Sequence, residues 1–121
     1  MWHVTVCDCD EREREQLINY VLLCYSQKGL EIQAEGCADW LGLAEKLRQQ
    51  KQDIVIVAQD GVEGMNTITS ARPLSVKLIW FSDLDFGVQA YRLCVNYFGR
   101  KPVSYQKMKR ALDRCMEPEE G

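Results

Sequence analysis

Short apolar runs rich in β-branched residues alternate along this chain with longer stretches whose apolar residues recur at helical spacing, and few folds accommodate that rhythm. His3 to Cys7 reads as a first strand, and Ile54 to Val57 and Leu78 to Phe81 as strands covered on both faces. Leu30, Ile32 and Ala34 alternate with Glu31, Gln33 and Glu35, the pattern of a half-exposed edge strand. Tyr97 to Gly99 supplies a brief last strand. Between them, Leu17, Ile18, Val21, Leu22, Cys24 and Tyr25 form one face of a first helix. Asp10 and Glu13 at its start resemble a capping box, and Gly29 closes it. Asp39 caps a second helix with Trp40, Leu41, Ala44 and Leu47 inward. Val88 to Val95 is helical, with Ala90, Tyr91 and Cys94 on one face. Ser104 caps a last helix packed through Met108, Ala111, Leu112 and Cys115.

Strands alternating with helices imply a parallel sheet with right-handed crossovers and helices on both faces. Five strands in 121 residues suggest an α/β, flavodoxin-like domain of strand order 2-1-3-4-5. The link from Ala58 to Ser75 is brief and holds Gly61, Gly64 and Pro73, so a short or distorted third helix is expected. The expected division is one domain over 1–116 and a tail or linker stub over 117–121.

Bulk properties narrow the function classes. A net charge of -3 argues against nucleic-acid binding by the domain itself. No apolar run approaches the ~18 residues of a membrane helix, and MWHVTVCDCD is no secretory signal, so a cytoplasmic location is expected. The six cysteines match no zinc spacing and read as reduced thiols. His3 is the one histidine and lies inside a strand, which disfavours a histidine-based catalytic or metal site.

In this topology the strand ends meet in one crevice. The first strand brings Asp8, Cys9 and Asp10, the third Ala58, the fourth Ser82 and Asp83, and the fifth Lys101 before Pro102. VCDCDEREREQL resembles the acidic start of response-regulator receiver domains, in which an aspartate pair binds Mg²⁺. DIVIVAQ resembles the strand that ends there in the phosphoacceptor aspartate, and IWFS the strand ending in a phosphoryl-contacting Thr or Ser. Ala90-Tyr91 through Lys101-Pro102-Val103-Ser104 is similar to the last third of receivers that precede LytTR-type DNA-binding domains. The resemblance implies Phe98 as the switch aromatic and Lys101 as the family's lysine. It also implies transcription control, if a DNA-binding half exists.

The departures from that pattern decide the chemistry. Asp8 keeps the first acid, Cys9 replaces the second and Ala58 replaces the phosphoacceptor, while Ser82 and Lys101 remain. The matching positions give Asp8 and Lys101 alone, formally neutral, whereas a hard dication needs several oxygen ligands. No cofactor and weak or absent Mg²⁺ binding are expected, with Asp8 and Asp10 the weak metal candidates. Asp8 and Lys101 are expected to pair, leaving a vestigial phosphorylation pocket of Asp8, Cys9, Ala58, Ser82 and Lys101. Asp60 is open to two readings, a turn residue or a substitute acceptor. Cys9 is a filler or a redox thiol whose pKa Lys101 lowers. Ser82 and Lys101 are placed to bind an anion.

A basic, aromatic face of the fourth helix, fifth strand and fifth helix, with Tyr91, Arg92, Tyr105, Lys109 and Arg110, suits a protein partner or a homodimer. The leading reading is a non-enzymatic pseudo-receiver in signal transduction, with no nucleic acid or membrane as partner. The alternatives are a receiver phosphorylated on Asp60, or a small flavodoxin-like ligand-binding protein or enzyme. The last lacks a glycine-rich phosphate loop in DCDERERE.

Overall fold

The computed structural model of the chain describes residues 1–74 and 76–117. Five parallel strands form one sheet in the order β2-β1-β3-β4-β5. They are β1 (Trp2–Cys7), β2 (Ile32–Cys37), β3 (Ile54–Val57), β4 (Lys77–Ser82) and β5 (Tyr97–Arg100). The helices are α1 (Glu11–Gln27), α2 (Trp40–Gln49), α3 (Gly61–Ala71), α4 (Gly87–Arg92) and α5 (Tyr105–Met116). Among the described residues no helix is long and apolar enough to cross a membrane. The anticipated tail, beyond Glu117, and Ser75 lie outside the described residues.

Two cores flank the sheet. Val4, Val6, Ile54, Ile56, Ile79 and Phe81 face α1 and α5. Cys7, Val55, Val57, Leu78 and Trp80 face the other way, against Leu43 of α2 and Ile68 and Ala71 of α3. Alternation of side chains along a strand makes this division, and it explains why all four residues of Ile54–Val57 are buried. Each such side chain contributes about 1.5–3 kcal/mol by leaving water.

The caps follow the sequence. Asp10 Oδ1 accepts the Glu13 N–H at 3.1 Å, Asp39 Oδ1 that of Gly42 at 2.9 Å, and Ser104 Oγ that of Lys107 at 3.1 Å. Gly29, at φ 68°, takes the left-handed conformation that ends α1.

Several local expectations need correction. The third helix is not short: it runs for 11 residues, and the irregularity falls on a 3-10 turn, Arg72–Leu74, at Pro73. The fourth helix is the short one, with 6 residues, because Cys94 adopts φ 55° where Val88 to Val95 was expected to be helical. Tyr91 and Cys94 therefore face solvent, and only Ala90 of that trio is buried. In α2, Leu41 is 79% exposed and Leu43 fully buried. Residues two apart on a helix point nearly oppositely, and the buried stripe runs through Trp40, Leu43 and Leu47. Leu22 flanks the α1 stripe and is exposed, and β2 starts at Ile32, leaving Leu30 outside it.

Candidate functional site

Hydrogen bonds just beyond the strand ends bring the crevice residues side by side. The Asp8 N–H donates to the Cys37 carbonyl at 3.0 Å, Ala58 to Cys7 at 2.8 Å and Lys101 to Ser82 at 2.9 Å. The crevice therefore gathers Asp8, Ala58, Ser82 and Lys101, as the sequence suggested. The Lys101–Pro102 peptide bond is cis.

Lys101 sits at the centre. Its Nζ donates to Glu13 Oε1 at 2.5 Å and to the Ala58 carbonyl at 2.6 Å, and lies 2.7 Å from Asp60 Oδ1. Three oxygens match the three N–H donors of an ammonium. Its side chain is 12% exposed. Burial pulls its pKa down, but the hydrogen bonds it donates to Asp60 and Glu13 outweigh that and the net shift is upward. The expected pairing of Asp8 with Lys101 is therefore corrected. The direct partners are Glu13 and Asp60, and Asp8 acts on the lysine only through its charge.

Glu13 was read as a helix-capping residue and missed as a member of the crevice. Its own N–H is capped by Asp10, but its carboxylate does not return to the Asp10 N–H, which donates instead to Asp8 Oδ1 at 3.0 Å. Freed from the cap, Glu13 reaches across to Lys101. A helix that starts directly after a strand end aims its first turn at the crevice, which was the available signal.

Asp8 is 1% exposed. Burial first, and then the neighbouring Glu13 carboxylate, push its pKa up to about 8, against the opposing pull of the Asp10 N–H and Lys101. Its Oδ2 is buried without a hydrogen-bond partner.

Ala58 is fully buried, its methyl packed in the α1- and α5-facing core while its carbonyl holds Lys101. Asp60 stands at the start of α3, with its side chain 59% exposed, and it makes no capping bond. Ser82 is fully buried, and its hydroxyl is spent locally, donating to Asp83 Oδ1 at 3.3 Å and accepting from Leu84 at 3.2 Å. Asp83 also takes the Gly61 N–H at 2.9 Å, which holds its carboxyl below the ordinary value and ties the loop after β4 to the start of α3.

Cys9 is exposed, and its pKa is raised rather than lowered, by desolvation and then by the charges of Asp8 and Glu63. Lowering by Lys101 is thus not what this thiol experiences: desolvation comes first and the neighbouring acids second. Among the described residues no three His, Cys, Asp or Glu side chains form a group able to hold a metal ion.

The anticipated interaction face divides in two. Phe98 is half-buried and stands edge-on to Trp80 at 5.3 Å, while Trp80 stacks on Phe86 at 5.1 Å. Tyr91 and Arg92 are exposed beside a depression of about 280 Å³ walled by Tyr97, Phe98 and Arg114. A second, of about 350 Å³, joins it through Tyr97 and Arg114 and includes Arg110. Tyr105 belongs elsewhere, since it packs edge-on to Tyr20 of α1 and donates to Gln27 Oε1 at 2.5 Å. Lys109 is exposed and pairs with Asp113 at 3.0 Å, which also binds Lys28 next to α1.

No family model and no curated protein matches the chain. Solved structures do. A response regulator receiver domain protein from Clostridium thermocellum superposes with a TM-score of 0.70 at 16% identity, over 96% of this chain and 94% of that one. A DNA-binding response regulator of the LuxR family from Staphylococcus aureus gives 0.76 at 15%, over 95% and 98%. A response regulator from Thermotoga maritima in complex with Mg(2+)-BeF gives 0.74 at 16%, over 96% and 100%. The chain thus has the CheY-like fold of receiver domains, and at these identities the likeness is one of fold.

Proposed function

We propose that this chain is a pseudo-receiver, a signalling domain that acts through protein contacts without aspartyl phosphorylation and without enzymatic activity of its own. The observation that carries this reading is the three-oxygen cage around the Lys101 ammonium, built partly from the carbonyl of Ala58. In the receivers this sequence resembles, the position of Ala58 carries the phosphoacceptor carboxylate, and a methyl group accepts no phosphoryl group. The residues present also do not fit Mg²⁺. A dication would have to displace an ammonium already held by Glu13 and Asp60, and the third acid, Asp8, is buried with its pKa raised.

The output surface in this reading is the face of α4, β5 and α5, where Tyr91 is 85% exposed beside Tyr97, Arg110 and Arg114. Self-association or docking of a partner protein there fits its aromatic and basic character. The setting is the cytoplasm, and the process is transcription control of the LytTR-associated kind, by resemblance of the last third of the sequence.

One observation favours a second reading. Asp60 is exposed at the crevice mouth and touches Lys101, the position of a substitute acceptor. Incubating the chain with a small acyl phosphate and Mg²⁺, followed by intact mass measurement, separates the two. The pseudo-receiver reading requires no mass gain. A gain of one phosphoryl group that disappears in Asp60→Ala establishes the second.

A further inference from the structure

The crevice uses the backbone carbonyls of Cys7 and Cys37 but not their thiols. They stand opposite each other in the parallel ladder between β1 and β2. Both project to the side of the sheet covered by α2 and α3 and share its core. Neighbouring strands run about 4.8 Å apart, and a disulfide spans Cα separations of about 4.4–6.8 Å.

The two sulfurs differ in surroundings. Cys7 is fully buried, and its pKa is raised by its hydrogen bond with Cys37 and by burial. Cys37 is 9% exposed. Its pKa is lowered by the hydrogen bond from Cys7, against burial, with Lys46 and Arg14 favouring the thiolate and Asp39 opposing it. A thiolate-prone sulfur at the rim with a second thiol directly behind it is the arrangement of a reversible dithiol. Exposed Cys9 and Cys94 have no such neighbour in register.

We propose that Cys37 and Cys7 form a redox modification site, which a small hydroperoxide converts to a disulfide. The Cys37 sulfur attacks one peroxide oxygen. An S–O bond forms, the O–O bond breaks, and the departing oxygen takes up a proton; with hydrogen peroxide it leaves as water. The Cys7 sulfur then attacks the Cys37 sulfenic acid. The S–S bond forms, the S–O bond breaks, and the hydroxyl leaves as water with the proton of Cys7. The two thiols together lose two electrons, which the peroxide gains. The bond ties the end of the edge strand to the strand that delivers Asp8, whose N–H already donates to the Cys37 carbonyl at 3.0 Å.

The test is to treat the whole folded chain with hydrogen peroxide, unfold it, alkylate the remaining thiols and map the peptides. The expected result is loss of two of the six thiols, a linked peptide pair containing Cys7 and Cys37, and full recovery with dithiothreitol. Cys7 and Cys9 share the tryptic peptide that ends at Arg12, so Cys9→Ser assigns the bond, and the link persists in that variant. In Cys37→Ser, Cys7 stays alkylatable. Oxidation confined to Cys9 or Cys94, with Cys7 and Cys37 alkylated in full, overturns the proposal. So does Cys37 advancing to the sulfinic acid without linking to Cys7. Both outcomes are read on the unmutated chain or on Cys9→Ser, whether or not Cys37→Ser folds.

Discussion

The Lys101 ammonium donates to the carbonyl oxygen of Ala58 at 2.6 Å, across 43 positions of sequence. Glu13 and Asp60 complete its shell. The cation of this crevice is thus a side chain, covalently anchored to the end of β5.

Replacing Lys101 with Met keeps most of the length of the side chain and removes the charge. Glu13 and Asp60 then face each other unneutralised, and the Ala58 carbonyl loses its donor. Loss of one partner of a well-buried pair is strongly destabilising, but the exposure of Asp60 reduces the effect. Lys101→Met is expected to lose about 1–3 kcal/mol in urea unfolding and to gain affinity for divalent cations over the unmutated chain. Equal stability with unchanged cation affinity would show that the cage is incidental.

Asp8 gives the stability a pH dependence of defined sign. Its pKa rises from the ordinary 3.8 to about 8 on folding, so the folded chain binds more protons across that window. Its contribution is fully present below 3.8 and is lost as pH rises to about 8. Asp8→Asn removes this loss and offers an amide N–H toward Glu13. The variant is expected to match the unmutated chain in acid and to exceed it by about 1–3 kcal/mol above pH ~8. Parallel stability curves across the whole range would refute the assignment.

Gly64 lets α3 approach the loop after β3. A Cβ there would meet the Gln59 carbonyl oxygen at 2.3 Å, a contact with backbone that no rotamer relieves. Gly64→Ala is expected to cost about 1–3 kcal/mol in denaturant unfolding despite its better helix propensity.

Tyr91, at 85% exposure, contributes little to the fold, so Tyr91→Ala is expected to leave unfolding unchanged. It is expected to weaken self-association or partner binding, read by sedimentation velocity. Unaltered assembly in Tyr91→Ala and Arg110→Glu together would move the output surface elsewhere.

Much of the architecture was legible because it rests on local periodicity. Ile54–Val57 could only be a covered strand, and Met108, Ala111, Leu112 and Cys115 could only be one helix face. Contacts distant in sequence were not legible. Glu13 looked like a capping residue because its partner, Lys101, lies 88 positions away. Tyr105 looked like part of an output face because its packing against Tyr20 depends on how α1 and α5 meet. Leu41 was placed inward in α2, where packing on the sheet buries Leu43 instead. Cys94, with its left-handed backbone, ended α4 without a glycine or proline to announce it.

The central claim is that the Lys101 ammonium, held by Glu13, Asp60 and the Ala58 carbonyl, already fills the role of the cation. Calorimetric titration of the purified chain with Mg²⁺ at neutral pH tests it most directly. The account predicts no saturable heat at millimolar Mg²⁺, with binding emerging in Lys101→Met. Tight, stoichiometric Mg²⁺ binding by the unmutated chain would contradict it.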